Sequence, residues 1–250
     1  MKIKNILVSQ PEPETTKSPY YDLAKKYNVE IEFKPFITVE GVTIKEFRQF
    51  RIEIPEFTGL VLTSRHAIDH FFRICGELKI EMPETTKYFC ISESIAFYLQ
   101  KYIVYRKRKV FQGNNSFEGL MEIVKKYPNE KLLVPLSDGH KEEIPQLLDK
   151  YKMNYTKAIM YRTVSTNMKV LGELKHDVLV FFSPLGIKSL HENFPNFVQG
   201  EKVIAAFGPT TAKAAIETGL RLDIQAPNPE ATSMPAALDN FIKNHIKNCK

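Results

Sequence analysis

Six places in the chain put Ser, Thr, Asn or Gly straight after an apolar, β-branched run and straight before a helical pattern. They are Ser64-Arg65, Ser92-Glu93-Ser94, Asn114-Asn115-Ser116, Ser183-Pro184, Gly208-Pro209-Thr210-Thr211 and Thr232-Ser233. Ser, Thr and Asn oxygens cap the free N–H groups of a first helical turn. Pro184 and Pro209 suit the first helical position, where a missing N–H costs nothing. Taken singly, each turn is a helix cap. Taken together, they describe a site: at the carboxyl ends of parallel strands several helix N-termini face one crevice, each with N–H donors and partial positive charge. Many weak anion cradles suit a ligand with many carboxylates.

Other chemistries lack their residues. There is no GxGxxG and no GxxxxGK[ST], so the glycine turns of dinucleotide and P-loop sites are missing. ILVSQP offers Ser9 and Gln10 where a receiver domain needs acids, and no GxSxG or HExxH occurs. The six histidines are scattered; His66 and His70 stand four apart on one helix without a third ligand, so surface or core roles are expected and no metal. Cys75, Cys90 and Cys249 are odd in number and far apart, which argues against a disulfide scaffold and fits a reducing cytoplasm. Tyr105-Arg106-Lys107-Arg108-Lys109 is the strongest basic run. With no stacking or helix-turn-helix pattern beside it, it reads as a solvated edge strand or loop and not as a nucleic-acid contact. The net charge of +6 suits a polyanionic ligand as well as nucleic acid. No apolar stretch approaches the ~18 residues of a membrane span, and no signal-peptide core opens the chain.

The elements that carry these turns occur twice. LVLTSRHAIDHFF (60–72) matches LVFFSPLGIKSLHENF (179–194), and YFCISESIAFYL (88–99) matches IAAFGPTTAKAA (204–215). More faintly, 113–124 matches 228–241, and 5–39 matches 131–164. Such spacing points to a duplication in the order a–b–a′–b′. Strands are expected near 3–8, 29–34, 59–63, 87–91, 103–105, 131–135, 154–160, 177–182, 202–207 and 221–225. Helices are expected near 17–27, 65–79, 93–101, 116–126, 141–151, 184–193, 209–218 and 232–247, with Gly76 a local interruption and Gly219 a stop. Alternating strands and helices predict parallel βαβ units with helices on both faces. Sequential pairing (a with b) and interleaved pairing (a with b′) both satisfy the pattern.

FFSPLGIKSL (181–190) followed by AAFGPTTAKAAIETGL (205–220) resembles the C-terminal signature of uroporphyrinogen-III synthases. LVLTSRHAIDHF (60–71), FQGNNSFEGL (111–120), LVPLSDGHKEEIPQLL (133–148) and IMYRTV (159–164) resemble further blocks of that family in the same order. The chain departs from the family at Ser9-Gln10-Pro11, where many bacterial members have Thr-Arg-Pro. It departs again at Ser92-Glu93-Ser94, where the turn is usually led by glycine. The resemblance implies two similar α/β domains with parallel sheets, joined by a two-stranded antiparallel linker, with the active-site cleft between them. It implies the interleaved pairing: 1–36 with 167–250 as one domain, 41–158 as the other, and joining strands at 34–39 and 159–166.

The implied reaction is dehydration and cyclisation of hydroxymethylbilane, an eight-carboxylate linear tetrapyrrole, to uroporphyrinogen III with ring D inverted. The implied place is tetrapyrrole biosynthesis (heme, siroheme, cobalamin) by a cytoplasmic, monomeric lyase with no cofactor, metal, nucleic-acid or membrane partner. Tyr161 matches the family's cleft tyrosine; a phenol is protonated at neutral pH and can donate to departing hydroxide. Ser64, Arg65, Ser92, Asn115, Ser116, Ser183, Gly208, Thr210 and Thr211 are the expected substrate contacts. The contrasting reading is a non-enzymatic two-lobed binder of a polycarboxylate.

Overall fold

Strands that are apolar at every position need cover on both faces, and that requirement shapes this molecule. The computed structural model describes residues 3–168 and 171–248; Cys249 lies outside them. In chain order the first elements are β1 (Asn5–Val8), α1 (Pro19–Tyr27), β2 (Glu30–Phe33), β3 (Ile37–Gly41) and α2 (Ile44–Gln49). A 3₁₀ turn, Ile54–Glu56, leads to β4 (Gly59–Leu62), α3 (Arg65–Leu78), β5 (Lys87–Cys90), α4 (Glu93–Leu99), β6 (Val110–Gln112) and α5 (Phe117–Val124). Then come β7 (Leu132–Ser137), α6 (Glu143–Lys150), β8 (Tyr155–Ser165), β9 (Val178–Phe181), α7 (Pro184–Asn193), β10 (Val203–Phe207), α8 (Pro209–Glu217), β11 (Ile224–Ala226) and α9 (Met234–Asn248).

The chain divides into a terminal unit, Met1–Thr38 with Val164–Lys250, and a central unit, Val39–Thr163. The terminal unit holds a five-stranded sheet ordered β11-β10-β9-β1-β2. The central sheet has six strands ordered β3-β8-β7-β4-β5-β6. Without β3, the two orders are the same topology, each half of the duplication contributing strands to both. All the pairs whose register is resolved are parallel.

Period-two alternation is visible in the packing. Along β4, Leu60 and Leu62 enter one apolar cluster and Val61 the other. Along β9, Val178 and Val180 face one cluster, and Leu179 and Phe181 the other. Each sheet is thus buried on both faces. Helix α3 shows the complementary period, burying Ala67, Ile68, Phe71, Ile74 and Cys75. It runs through Gly76 without interruption and stops at Lys79, whose left-handed backbone brings the Ile80 N–H onto the Cys75 carbonyl.

Two boundaries differ from expectation. Residues 103–105 form no strand: the Tyr102 and Ile103 N–H groups donate back to the Leu99 carbonyl, extending the turn after α4. The edge strand is instead β6, which pairs Val110–Gln112 with Tyr88–Cys90, and the basic run 106–109 is the turn that leads into it. Where joining strands are expected at 34–39 and 159–166, the chain has β3 (Ile37–Gly41) and β8 (Tyr155–Ser165), neighbours in the central sheet. No helix among the described residues is long and apolar enough to cross a membrane.

Candidate functional site

In each unit the strand order reverses once. Connections run outward in opposite directions from β4 and β7 in the central sheet, and from β9 and β1 in the terminal one. A crevice at the carboxyl ends of strands at such a switch point is where open α/β sheets bind ligands.

In the central unit that position is a cavity of about 500 Å³. Its walls include Thr63 after β4, Asn115 and Ser116 before α5, Ser137 and His140 after β7, and Tyr161 of β8. Tyr161 arrives there through a break in strand regularity. Leu136 pairs with Ile159, but Ser137 pairs with Tyr161, so β8 carries one extra residue. A bulge of this kind re-aims side chains, and here Met160 and Tyr161 are both buried in succession.

The phenol is held on several sides. Its hydroxyl lies 2.9 Å from Ser64 Oγ, which also accepts the Ala67 N–H at 3.0 Å as the cap of α3. The His70 ring stacks on it at 5.3 Å with a 20° tilt, and His66 approaches at 5.9 Å. His70 can come so close because β3 presents glycine: a Cβ on Gly41 would stand 2.6 Å from His70 Nδ1 and 2.7 Å from Arg73 Nη2. Burial, with the Arg73 and His66 charges, holds the His70 imidazole below the usual histidine value, favouring the neutral ring. Tyr161 remains 9% exposed, so its ring edge is open to the cavity.

The other expected residues of this unit divide. Ser116 caps α5 through the Gly119 N–H at 3.0 Å and donates to Asn114 Oδ1 at 2.8 Å. Asn115, exposed and left-handed at φ 73°, turns the chain into that cap. Ser92 is buried as the cap of α4, bonded to the Ile95 N–H and to Ser94. Arg65 lies over the Tyr98 ring at 5.2 Å. Neither Ser92 nor Arg65 lines the cavity. Two carboxylates do: Glu118 hydrogen-bonds Glu143 and, with some burial, raises the Glu143 pKa.

In the terminal unit the corresponding turns sit on adjacent strands. Ser183 caps α7 through the Gly186 N–H at 3.1 Å, with Pro184 in the first turn. Gly208 is the cap residue of α8, and no side chain caps that helix. Its φ of 87° favours glycine, and Pro209 follows. Thr210 and Thr211 therefore correct an expectation: their hydroxyls do not cap α8, because the chain enters the helix at Pro209 and places both inside the first turn. Thr211 is 1% exposed and Thr210 is exposed. Ser9, at the end of β1, is buried and gives its N–H to the Val180 carbonyl.

The sequence matches the family model described as Uroporphyrinogen-III synthase HemD over residues 18–236. The chain belongs to the uroporphyrinogen-III synthase family. Among solved structures it resembles the uroporphyrinogen-III synthetase of Helicobacter pylori, at 15% identity and a TM-score of 0.57, over 97% of this chain and 100% of that one. A triple-mutant uroporphyrinogen III synthase of the extremely thermophilic bacterium Thermus thermophilus is also 15% identical, with a TM-score of 0.52 over 98% and 99% of the two chains. At that identity the likeness bears on the fold. No curated protein matches as a relative.

Within this uroporphyrinogen-III synthase family member, sequence reasoning missed the ring partners of Tyr161. His66 and His70 were visible as an i,i+4 pair, the spacing that puts two side chains on one helix face. Their common neighbour lies on β8, far along the chain. His140 was inside a family block but carried no separate signal; its Nδ1 lies 2.9 Å from the Ser137 carbonyl, and its buried Nε2 has no partner. No group of three His, Cys, Asp or Glu among the described residues is arranged to hold a metal.

Proposed function

We propose that this chain cyclises hydroxymethylbilane to uroporphyrinogen III with loss of water and inversion of ring D. The observation that carries the reading is Tyr161, aimed by a bulge into a switch-point cavity and fixed by Ser64 and His70. Its phenol donates a proton to the hydroxide leaving ring A, so water departs and an azafulvene remains. Ring D attacks through its substituted carbon, passes through a spiro intermediate and is reattached inverted; the proton released at rearomatisation restores the phenol. The uncatalysed closure is facile and gives the type I isomer. The protein's main task is therefore to fold the chain and stabilise charge.

Helix N-termini are the matching carboxylate donors. The α5 turn at Asn115 and Ser116 borders the cavity, while α7 and α8 of the terminal unit begin on neighbouring strands without an acid in their first turns. The domains are taken as 1–36 with 167–250, and 41–158, joined by strands at 34–39 and 159–166; the two sheets support that division. The test is product analysis. Purified protein given hydroxymethylbilane, without added metal or organic cofactor, yields mainly type III; a type I product at the spontaneous rate would leave only a binding protein.

A further inference from the structure

The central unit has a second cavity, about 460 Å³, at the opposite end of its strands. The candidate site lies beyond the carboxyl ends, whereas this cavity is bordered by Tyr88 at the start of β5, Val110 at the start of β6, and the last turns of α3. Phe72, Ile80 and Met82 give it apolar walls, and the volume is that of a small-molecule site.

Three observations point to an occupant. Tyr88 is only 5% exposed, lines the cavity, and its hydroxyl has no hydrogen bond to any described residue. Burial pushes its phenol up to about 12, so it stays a donor at neutral pH. The residue is buried while its hydroxyl keeps some exposure, so a ligand acceptor or water in the cavity can satisfy it.

The mouth carries the second. Lys109 makes no ion pair among the described residues, and Arg106 is bound only to the exposed Glu84, at 2.9 Å. No Asp or Glu occurs between Glu93 and Glu118, while Lys101, Arg106, Lys107, Arg108 and Lys109 all fall there. Glu81 and Glu84 are the opposing charges on the rim, and Glu84 is taken up by Arg106. The Tyr88 N–H donates to the Lys109 carbonyl at 2.8 Å, so the free hydroxyl and the free cation spring from adjoining backbone.

Gly76 is the third. It sits inside α3, where glycine costs up to about 1 kcal/mol relative to alanine. The helix stop does not need it, since Lys79 takes the left-handed position, and a Cβ on Gly76 would meet nothing within 4 Å. What its missing side chain leaves open is this cavity.

We propose that the cavity is a second binding site, for a small amphipathic carboxylate. Its aromatic or acyl body lies against Phe72, Ile80 and Met82, and its carboxylate meets the Tyr88 hydroxyl and Lys109. Aromatic stacking with nucleic acid fits less well, because the Tyr102 ring is already stacked on Phe72 at 4.6 Å.

Methionine methyl NMR on the full chain tests this directly. Met82 lines the second cavity, whereas Met160 adjoins Tyr161 in sequence and lines neither. Titration with 2-naphthoate or decanoate should move the Met82 methyl saturably and leave Met160 still. Gly76→Leu should weaken that binding by about tenfold or more, and Tyr88→Phe or Lys109→Gln by about tenfold each, the size of a lost hydrogen bond to a charged group. The uncharged 2-naphthylmethanol should bind more weakly than the acid. An unmoved Met82, equal binding of acid and alcohol, or unaltered binding in Gly76→Leu with a native Met160 signal would overturn the proposal. A Met82 response to phosphatidylglycerol vesicles but not to the free acids would overturn it too, and would make this face a membrane-docking surface.

Discussion

Ser92 and Gly208 occupy equivalent places in the two units, each at the start of the helix after the second strand of its repeat. They solve the same problem differently. Ser92 closes its helix with its own oxygen and is buried in doing so. Gly208 leaves α8 without a side-chain cap, so the N–H groups at that turn face outward with no oxygen of their own. The acids differ in part: α4 and α5 carry Glu93 and Glu118 in their first turns where α8 and α9 carry none, whereas α1 has Asp22 as α6 has Glu143, and α3 and α7 have none alike. Tyr161 has no counterpart reached the same way, because β2 ends at Phe33 after four residues whereas β8 runs for eleven with a bulge. One topology thus supports a unit rich in side-chain chemistry and another rich in backbone donors.

The comparison breaks most visibly at Tyr161. Tyr161→Phe should lower single-turnover cyclisation by about 10²-fold, the low end for a positioned acid, because departure of hydroxide is intrinsically easy. Binding of uroporphyrinogen III should change far less, since the ring still stacks on His70. An unchanged rate would return Tyr161 to a packing role.

Cap exchange comes next. Gly208→Ala forces a side chain onto φ 87° and should cost about 1–3 kcal/mol, seen as a lower thermal midpoint together with weaker product binding. Ser92→Gly, at the equivalent turn, should cost only a few tenths of a kcal/mol and leave binding intact. Equal losses at both turns would mean that the two units are not specialised as described.

Gly41→Ala probes the clamp without touching it chemically. The new Cβ would overlap His70 and Arg73, so the imidazole must leave its place on Tyr161. Turnover should fall, by less than the ~10²-fold that a misplacement of about 1 Å can cause. Circular dichroism should remain native, and a further Tyr161→Phe change should add less than it does alone.

Local rules were legible in the sequence and non-local ones were not. Ser64, Ser92, Ser116 and Ser183 could each be named as caps because capping depends on the next three residues only. Thr210 and Thr211 misled because the helix starts at Pro209, two and three residues earlier than their hydroxyls required. The duplication was readable, yet periodicity says nothing about which strand pairs with which; interleaved and sequential pairings were equal on that ground, and only the family resemblance favoured the interleaved one that the sheet orders display. Strict alternation would also have put Ile159 and Tyr161 on one face. The bulge opposite Ser137 cancels that, and a bulge depends on the partner strand. Ser64 and Tyr161, 97 residues apart, could not be joined by any local pattern.

The smallest effect concerns the acids that line the candidate-site cavity. Glu118 hydrogen-bonds Glu143, and the Glu143 carboxyl is raised above its usual range chiefly by that bond. For stability the sign follows from the raised folded value: the contribution is full below the ordinary value of 4.5 and is lost as pH rises through the raised one. For binding the sign is the same, because above that point Glu143 is ionised and repels a carboxylate ligand. Product affinity should therefore fall with rising pH more steeply in the native chain than in Glu143→Gln. The ligand's own carboxylates titrate nearby, so the difference between the two proteins is the quantity to measure. Both groups are on the surface, and the gain in Glu143→Gln at neutral pH should be only about twofold to fivefold, shrinking as salt is added. A gain that persists in high salt would show that Glu143 blocks the ligand by its shape. A loss of affinity instead would make the acidic pair a ligand contact, and the central cavity would no longer be the less anion-friendly of the two sites.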